Sequence, residues 1–178
     1  RSKADVLEFG RKMDVVTIEI EHIDTAALHH LVAEGIKVYP QPDKIDLIKD
    51  KGLQKQFYAD HSIATSSFAL YAGAKEVKEA VEAGDVSLPF VQKARTGGYD
   101  GQGVAVIRDA ADLEEKIIDV PCVVEPLVDI DKELAVIVTR NPSGELRVFP
   151  TVEMEFHPTA NLVEFLICPA AIDADTDV

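Results

Sequence analysis

Hydrophobic and polar positions change period several times along the chain, and each change predicts an element. Residues 4–13 set Val6, Leu7, Gly10 and Met13 at helical spacing, and residues 15–20 then read as a strand. Asp24 or Thr25 can cap a helix running through Glu34, Gly35 can end it, and residues 36–39 form the next strand. Strand, helix and strand with short links predict a parallel crossover unit, closed by Pro40 and Pro42. Asp43 then caps a longer helix in which Ile45, Ile48, Leu53 and Phe57 recur near helical period, with Gly52 its weak point.

A second unit begins near Thr65. Residues 68–71 predict a strand, 74–83 a helix and 88–93 a strand; after a glycine-rich loop come strand 104–107, helix 110–118 and strand 122–124. This order predicts a small α+β lid-like domain. Glu125, Pro126, Leu127 and Val128 leave its last strand, with Pro126 marking a break from the ladder. Such a backbone can read a purine edge by one amide and one carbonyl while Leu127 covers the ring face. From Glu133 onward the pattern is strand only: residues 134–138, a turn at Asn141-Pro142-Ser143-Gly144, residues 146–152, and residues 162–168 as a third strand of one antiparallel sheet. The fold class is α/β and α+β, divided at residues 1–64, 65–128 and 129–178. The close, Ala170 to Asp175, reads as the start of another helix, and with no initiator methionine at the other end the chain is expected to be an internal fragment.

Composition narrows the partners. A net charge of −14 argues against nucleic acid and anionic membrane. No apolar run approaches the ~18 residues of a membrane span, and no secretion signal opens the chain. The two cysteines, Cys122 and Cys168, fall in apolar strand-like runs and read as structural free thiols of a reducing compartment, the cytoplasm. An anionic ligand then needs a local basic focus, for which Lys51, Lys55, Lys93 and Arg95 are the candidates.

Candidate chemistry centres on Lys93-Ala94-Arg95-Thr96-Gly97-Gly98-Tyr99-Asp100-Gly101-Gln102-Gly103, between two strands. Its four glycines let backbone amides approach a ligand, and consecutive amides turned to one side bind anions. Two readings stand: a flap over polyphosphate, or a surface hairpin with a solvated basic rim. The spacing is neither the P-loop nor the dinucleotide fingerprint. Glu19 and Glu21 sit at the carboxyl end of the first strand, two residues apart on one face, where open α/β sheets bind ligands. They are either carboxylates for a polar substrate or a solvated strand end. No zinc-type spacing accompanies His22, His29 or His30.

Thr17-Ile18-Glu19-Ile20-Glu21-His22-Ile23, Asp50-Lys51 with Gln54-Lys55-Gln56, the Arg95-Thr96-Gly97-Gly98-Tyr99-Asp100-Gly101 loop, and Glu125 with Glu133 occur in that order. Together they resemble the 5-(carboxyamino)imidazole ribonucleotide synthases, ATP-grasp ligases of purine biosynthesis, over nearly the whole chain. The Tyr-Asp pair within the glycine loop is the specific part. The resemblance implies a partial ATP-grasp fold: the end of a parallel-sheet pre-ATP domain, the lid, and the first strands of an antiparallel-sheet domain. It also implies carboxylation of 5-aminoimidazole ribonucleotide by bicarbonate and ATP, through carboxyphosphate, by a cytoplasmic homodimer.

Residue by residue, Lys51 stands where the family has an arginine that meets ATP phosphate, keeping charge without the bidentate fork. Lys93 matches the lysine on the α- and β-phosphates, and Gly98, Tyr99, Asp100, Gly101, Gln102 and Gly103 match the phosphate flap. Tyr99 and Asp100 are further implied as contacts to the imidazole ribonucleotide, as is one of Glu19 and Glu21. Glu125, Pro126, Leu127 and Val128 match the adenine hinge, and Glu133 the carboxylate on the ribose hydroxyls. The family's Mg2+ ligands have no match in this sequence, so the chain alone is expected to lack turnover. Another ATP-grasp carboxylase or ligase, or a nucleotide-binding module without chemistry, remains open.

Overall fold

The computed structural model describes residues 2–20, 22–98, 103–157 and 162–173. Chain contacts divide it into one unit running to Leu127 and a second from Val128 onward.

The first unit opens with helix α1 (Lys3–Gly10), strand β1 (Val15–Thr17), helix α2 (Thr25–Ala33) and strand β2 (Lys37–Tyr39), with β1 and β2 parallel as the crossover pattern predicts. Asp24 caps α2 by accepting from the Ala27 amide, and Gly35 follows its end at φ 89°. Val6, Val16, Ala27, Leu28, Leu31, Val38 and Ile45 form the core of this part. α1 crosses α2 closely, since a Cβ on Gly10 would lie 2.3 Å from a Leu31 methyl. Beyond Thr17 the strand expected through Ile20 does not continue, so the period-2 argument that put Glu19 and Glu21 on one strand face fails.

The long helix expected after Asp43 is two helices, α3 (Pro42–Lys49) and α4 (Lys51–Asp60). Gln41, not Asp43, precedes the first turn, and Pro42 occupies it, where a missing N–H costs nothing. The break falls at Asp50, which is extended (φ −116°, ψ 106°) and caps α4.

Strand β3 (Ala69–Tyr71), helix α5 (Ala74–Ala83), strands β4 (Phe90–Ala94) and β5 (Val104–Ile107), helix α6 (Ala110–Glu115) and strand β6 (Cys122–Pro126) follow. The sheet is antiparallel in the order β3-β6-β4-β5. Val77, Ala80, Phe90, Ile107, Leu113, Cys122 and Val124 are in its core, and fully burying a valine, isoleucine, leucine or phenylalanine side chain contributes about 1.5–3 kcal/mol. Gln92 is fully buried yet satisfied: its amide donates to the Ile118 carbonyl and accepts from the Ile118 N–H, both at 2.7 Å. α6 ends sooner than the helix expected through Ile118, because Ile118 is held by Gln92 instead. β6 runs further than expected. Pro126 pairs with Phe90 at the end of the ladder, a position that tolerates a residue without an N–H.

In the second unit, β7 (Glu133–Ala135), β10 (Val152–Phe156) and β11 (Val163–Ile167) form one antiparallel sheet in the order β11-β10-β7. β8 (Val138–Arg140) and β9 (Leu146–Val148) make a separate hairpin around Asn141–Gly144. The expected strand 134–138 is therefore broken, and 146–152 divides between two sheets. Asn141 explains the turn, its side-chain oxygen accepting from the amides of Ser143 and Glu145. Residues 170–173 are not helical; the Ala170 amide donates to Thr151 instead. Cys122 is buried in β6, whereas Cys168 lies beyond β11 and is exposed.

Candidate functional site

The chemistry-bearing residues of the first unit gather where α4 meets β4 and β6. Asp50 holds the start of α4 by accepting from the amides of Gly52 (2.8 Å) and Leu53 (3.2 Å), donors that a helix start otherwise leaves unpaired. The same carboxylate accepts a two-pronged pair from the Arg95 guanidinium, Nε at 2.9 Å and a terminal nitrogen at 2.7 Å. Burial alone would raise the Asp50 carboxyl, but Arg95 and the two amides outweigh it and hold the group below its ordinary value. Arg95 is fixed by its backbone too: its N–H donates to the Pro121 carbonyl and its carbonyl accepts from the Lys51 N–H, both at 2.9 Å. A Cβ at Gly52 would stand 2.5 Å from Arg95 Nε, so glycine is what lets the guanidinium lie across the first turn of α4.

Above Arg95 the glycine loop leaves and returns through a narrow neck. The Ala94 N–H donates to the Gly103 carbonyl (2.7 Å), and Gly103 adopts φ 77°. A side chain there would meet the Ala94 Cβ at 3.1 Å and the Gly98 Cα at 3.4 Å. Beside the neck, a cleft of about 150 Å³ is lined by His22, Lys49, Lys51, Thr96, Gly97 and Gly98. Lys49 donates to the Ile23 carbonyl (3.0 Å), whereas Lys51 has no carboxylate partner among the described residues. A cation, a hydroxyl and glycine backbone around a small cleft suit an anion of phosphate size.

One turn along α4 lies the second cluster. Glu125 on β6 is 5% exposed, with one carboxylate oxygen against Lys55 Nζ and the other against Lys93 Nζ. Lys55 also donates to Thr65 Oγ1 (2.5 Å). Burial would raise the Glu125 carboxyl, but the two lysines outweigh it and keep it below the ordinary glutamate value. Next to Glu125 a cleft of about 410 Å³ has Phe68, Ala69, Leu88, Phe90 and Pro126 among its walls. The Leu127 N–H donates to the Pro89 carbonyl (3.2 Å) and Pro126 has none, so neither amide is open to a purine edge.

Sequence-predicted residues thus separate into groups. Lys51, Gly98 and Gly103 meet at the loop neck, and Lys93 joins Glu125. Glu19 is exposed past β1 and lines a cavity of about 550 Å³ with Val6, Phe9, Ile18, Ile20 and His22. Val128 and Glu133 belong to the second unit, Glu133 opening β7. Glu21, Tyr99, Asp100, Gly101 and Gln102 lie outside the described residues. The basic focus expected from four cations is not a single patch, because Arg95 is paired with Asp50 while Lys55 and Lys93 share Glu125. Sequence reasoning used Asp50 only as part of a family motif and Gly52 only as a weak point of one helix, and gave neither a place in the site. Aspartate directly before a helical Lys-Gly was the available signal, a cap motif masked by the continuous apolar period. Among the described residues no three His, Cys, Asp or Glu side chains gather to hold a metal ion. No described helix is long and apolar enough to cross a membrane.

Residues 56–177 match the family model of the ATP-grasp domain, and residues 1–49 match that of the ribonucleotide synthetase preATP-grasp domain. The chain belongs to the ATP-grasp family. Its arrangement of helices, parallel pair and antiparallel sheets is the ATP-grasp fold. The chain is 37% identical over 172 residues to phosphoribosylaminoimidazole carboxylase of Ogataea methanolica, covering 94% of this chain and 31% of that protein. It is also similar to the crystal structure of N5-carboxyaminoimidazole ribonucleotide synthetase from Thermotoga maritima, with TM-score 0.81 and 34% identity over 98% of this chain and 43% of that one. Similar again is N5-carboxyaminoimidazole synthase of Aspergillus clavatus in complex with ADP and 5-aminoimidazole ribonucleotide, with TM-score 0.77 and 27% identity over 89% and 41% of the two chains. This ATP-grasp chain therefore spans about a third to under a half of the relatives it matches.

Proposed function

We propose that this ATP-grasp chain is part of a ligase that carboxylates 5-aminoimidazole ribonucleotide with bicarbonate at the expense of ATP, in purine biosynthesis. The observation that carries the reading is the rooting of the Arg95-to-Gly101 motif between β4 and β5, with Lys93 at its base. It occurs in a chain similar to a synthase solved with both ADP and the aminoimidazole ribonucleotide.

In this reading a bicarbonate oxygen attacks the γ-phosphorus, the bond to the β-phosphate oxygen breaks, and ADP leaves carboxyphosphate behind. Carboxyphosphate releases CO2 and phosphate. The exocyclic amine nitrogen then bonds to the CO2 carbon and loses a proton. Such phosphoryl transfer depends on positioning and on neutralising the spread negative charge. Lys93 and Lys51 supply cations to the phosphates, and Gly98 to Gly103 form the flap that covers them, with Tyr99 and Asp100 reaching the ribonucleotide. Glu125 to Val128 serve as the adenine hinge and Glu133 holds the ribose hydroxyls. One of Glu19 and Glu21 binds the ribonucleotide. Mg2+ accompanies the ATP; among the described residues no three His, Cys, Asp or Glu side chains gather to hold it. The enzyme works in the cytoplasm as a homodimer.

Calorimetric titration with Mg-ADP tests the nucleotide site. The expected result is binding that Lys93→Ala weakens about tenfold or more, since a charge-assisted hydrogen bond contributes roughly 1.5–3 kcal/mol. For the whole reaction, ATP hydrolysis with bicarbonate is expected to rise on adding 5-aminoimidazole ribonucleotide to the intact protein. Stimulation only by a different acceptor would overturn the substrate assignment.

A further inference from the structure

Lys55 belongs to none of the roles above, yet it makes the least exposed ionic contact of the α4 surface. Its side chain is 16% exposed and spans from α4 to both Thr65 and Glu125. Lys93, on the other oxygen of the same carboxylate, is 35% exposed and stands at the base of the glycine loop. One buried anion is thus shared by an enclosed lysine and a more open one. Glu125 is 5% exposed, so stripping it of every cation would leave a charge uncompensated away from water.

We propose that Lys55 is a positioning residue. It keeps Glu125 paired while Lys93 moves from that carboxylate to a nucleotide phosphate. This rests on the reading that Lys93 serves the phosphates. With Lys55 present, transfer of Lys93 leaves one carboxylate on one ammonium. Without it, Lys93 is the sole partner of a buried anion, and nucleotide binding has to break that pair. Lys55 acts through Glu125 and does not itself touch the ligand.

The test is Mg-ADP affinity of the intact protein and of Lys55→Met, Lys55→Met/Glu125→Gln and Lys93→Ala, with melting curves to establish that each is folded. Lys55→Met is expected to weaken binding about tenfold to a hundredfold, the range of one charged hydrogen bond. Glu125 enters the proposed hinge through its backbone, so Glu125→Gln removes only the side-chain anion that competes for Lys93, and affinity is expected to recover at least about threefold from that of Lys55→Met. Should Lys55→Met fail to fold, Lys55→Gln, which retains a donor, replaces it in both variants of the cycle. A Lys55 variant that binds like wild type overturns the inference. So does a double variant as weak as the single one, because Lys55 would then be meeting the nucleotide itself. Wild-type protein that does not bind, or binding indifferent to Lys93→Ala, overturns the nucleotide-site reading together with this inference. Normal dependence on Lys93 without dependence on Lys55 overturns this inference alone.

Discussion

At the start of α4, Asp50 and Arg95 are 19% and 30% exposed and keep contact with water; one turn further on, Glu125 is 5% exposed and holds two lysines. The first cluster couples one anion to one cation and leaves the neighbouring Lys51 unpaired among the described residues. The second couples one anion to two cations, leaving an excess positive charge next to the glycine loop. The difference separates structural from available charge. Arg95, with two hydrogen bonds to Asp50 and two through its backbone, is a fastener. Lys51 and Lys93 can meet a ligand.

Removing the anion should therefore matter more at the second cluster. Glu125→Ala leaves two lysines packed against the sheet with no carboxylate, although both can turn partly toward water. That relief puts the expected loss at about 2–3 kcal/mol, below the 3–5 typical of fully buried pairs, read as a shift in urea midpoint at pH 7. Asp50→Ala comes next. It takes away the α4 cap and the Arg95 partner, but Arg95 can hydrate, so about 1–2 kcal/mol is expected. Equal losses from the two variants would erase the distinction between buried and half-exposed clusters.

Gly52→Ala sharpens the same comparison without deleting a charge. The added methyl would stand 2.5 Å from Arg95 Nε, forcing the guanidinium off Asp50. Alanine's better helix propensity offsets part of this, leaving about 1 kcal/mol of net loss. In an Arg95→Ala background the penalty should vanish and Gly52→Ala become neutral or stabilising. A penalty that survives there would mean the glycine serves something other than Arg95.

Local pattern made much of this fold legible, and long-range polar contacts account for most of what was not. α5 and β5 fall where the hydrophobic period puts them, because Val77 and Ala80, or Ala105 and Ile107, fill one core. The division of α3 from α4 was hidden. Ile45, Ile48, Leu53 and Phe57 keep their period across the break, and what stabilises the break is Arg95, 45 residues away. The pairing of Lys55 with Glu125 joins α4 to β6, and no periodicity reports a contact at such separation. The glycine loop was visible as a motif, but the status of its cations was not, since that depends on which carboxylate the fold brings beside each. In the second unit the apolar strands were readable, while their exposure was not: Val138, Val148, Phe165 and Leu166 are all exposed.

The smallest effect expected at neutral pH is that of Asp50→Asn, and acid makes it informative. Asparagine keeps an oxygen for the Gly52 and Leu53 amides, so only the charge facing Arg95 is lost, about 0.5–1 kcal/mol. The folded-state carboxyl of Asp50 lies below its unfolded value, so its contribution is present above the unfolded pKa of about 3.9 and is lost as pH falls through the lower, folded one. Glu125 has the same sign, with its loss beginning below an unfolded pKa of about 4.3. Urea midpoints measured from pH 6 down to pH 3 should therefore fall less in Asp50→Asn than in wild type, and less again in Glu125→Gln, whose carboxylate serves two cations. If Asp50→Asn flattened the acid slope more than Glu125→Gln, the half-exposed pair would be the stronger electrostatic contact. Burial would then be the wrong criterion for separating the fastener from the available charge.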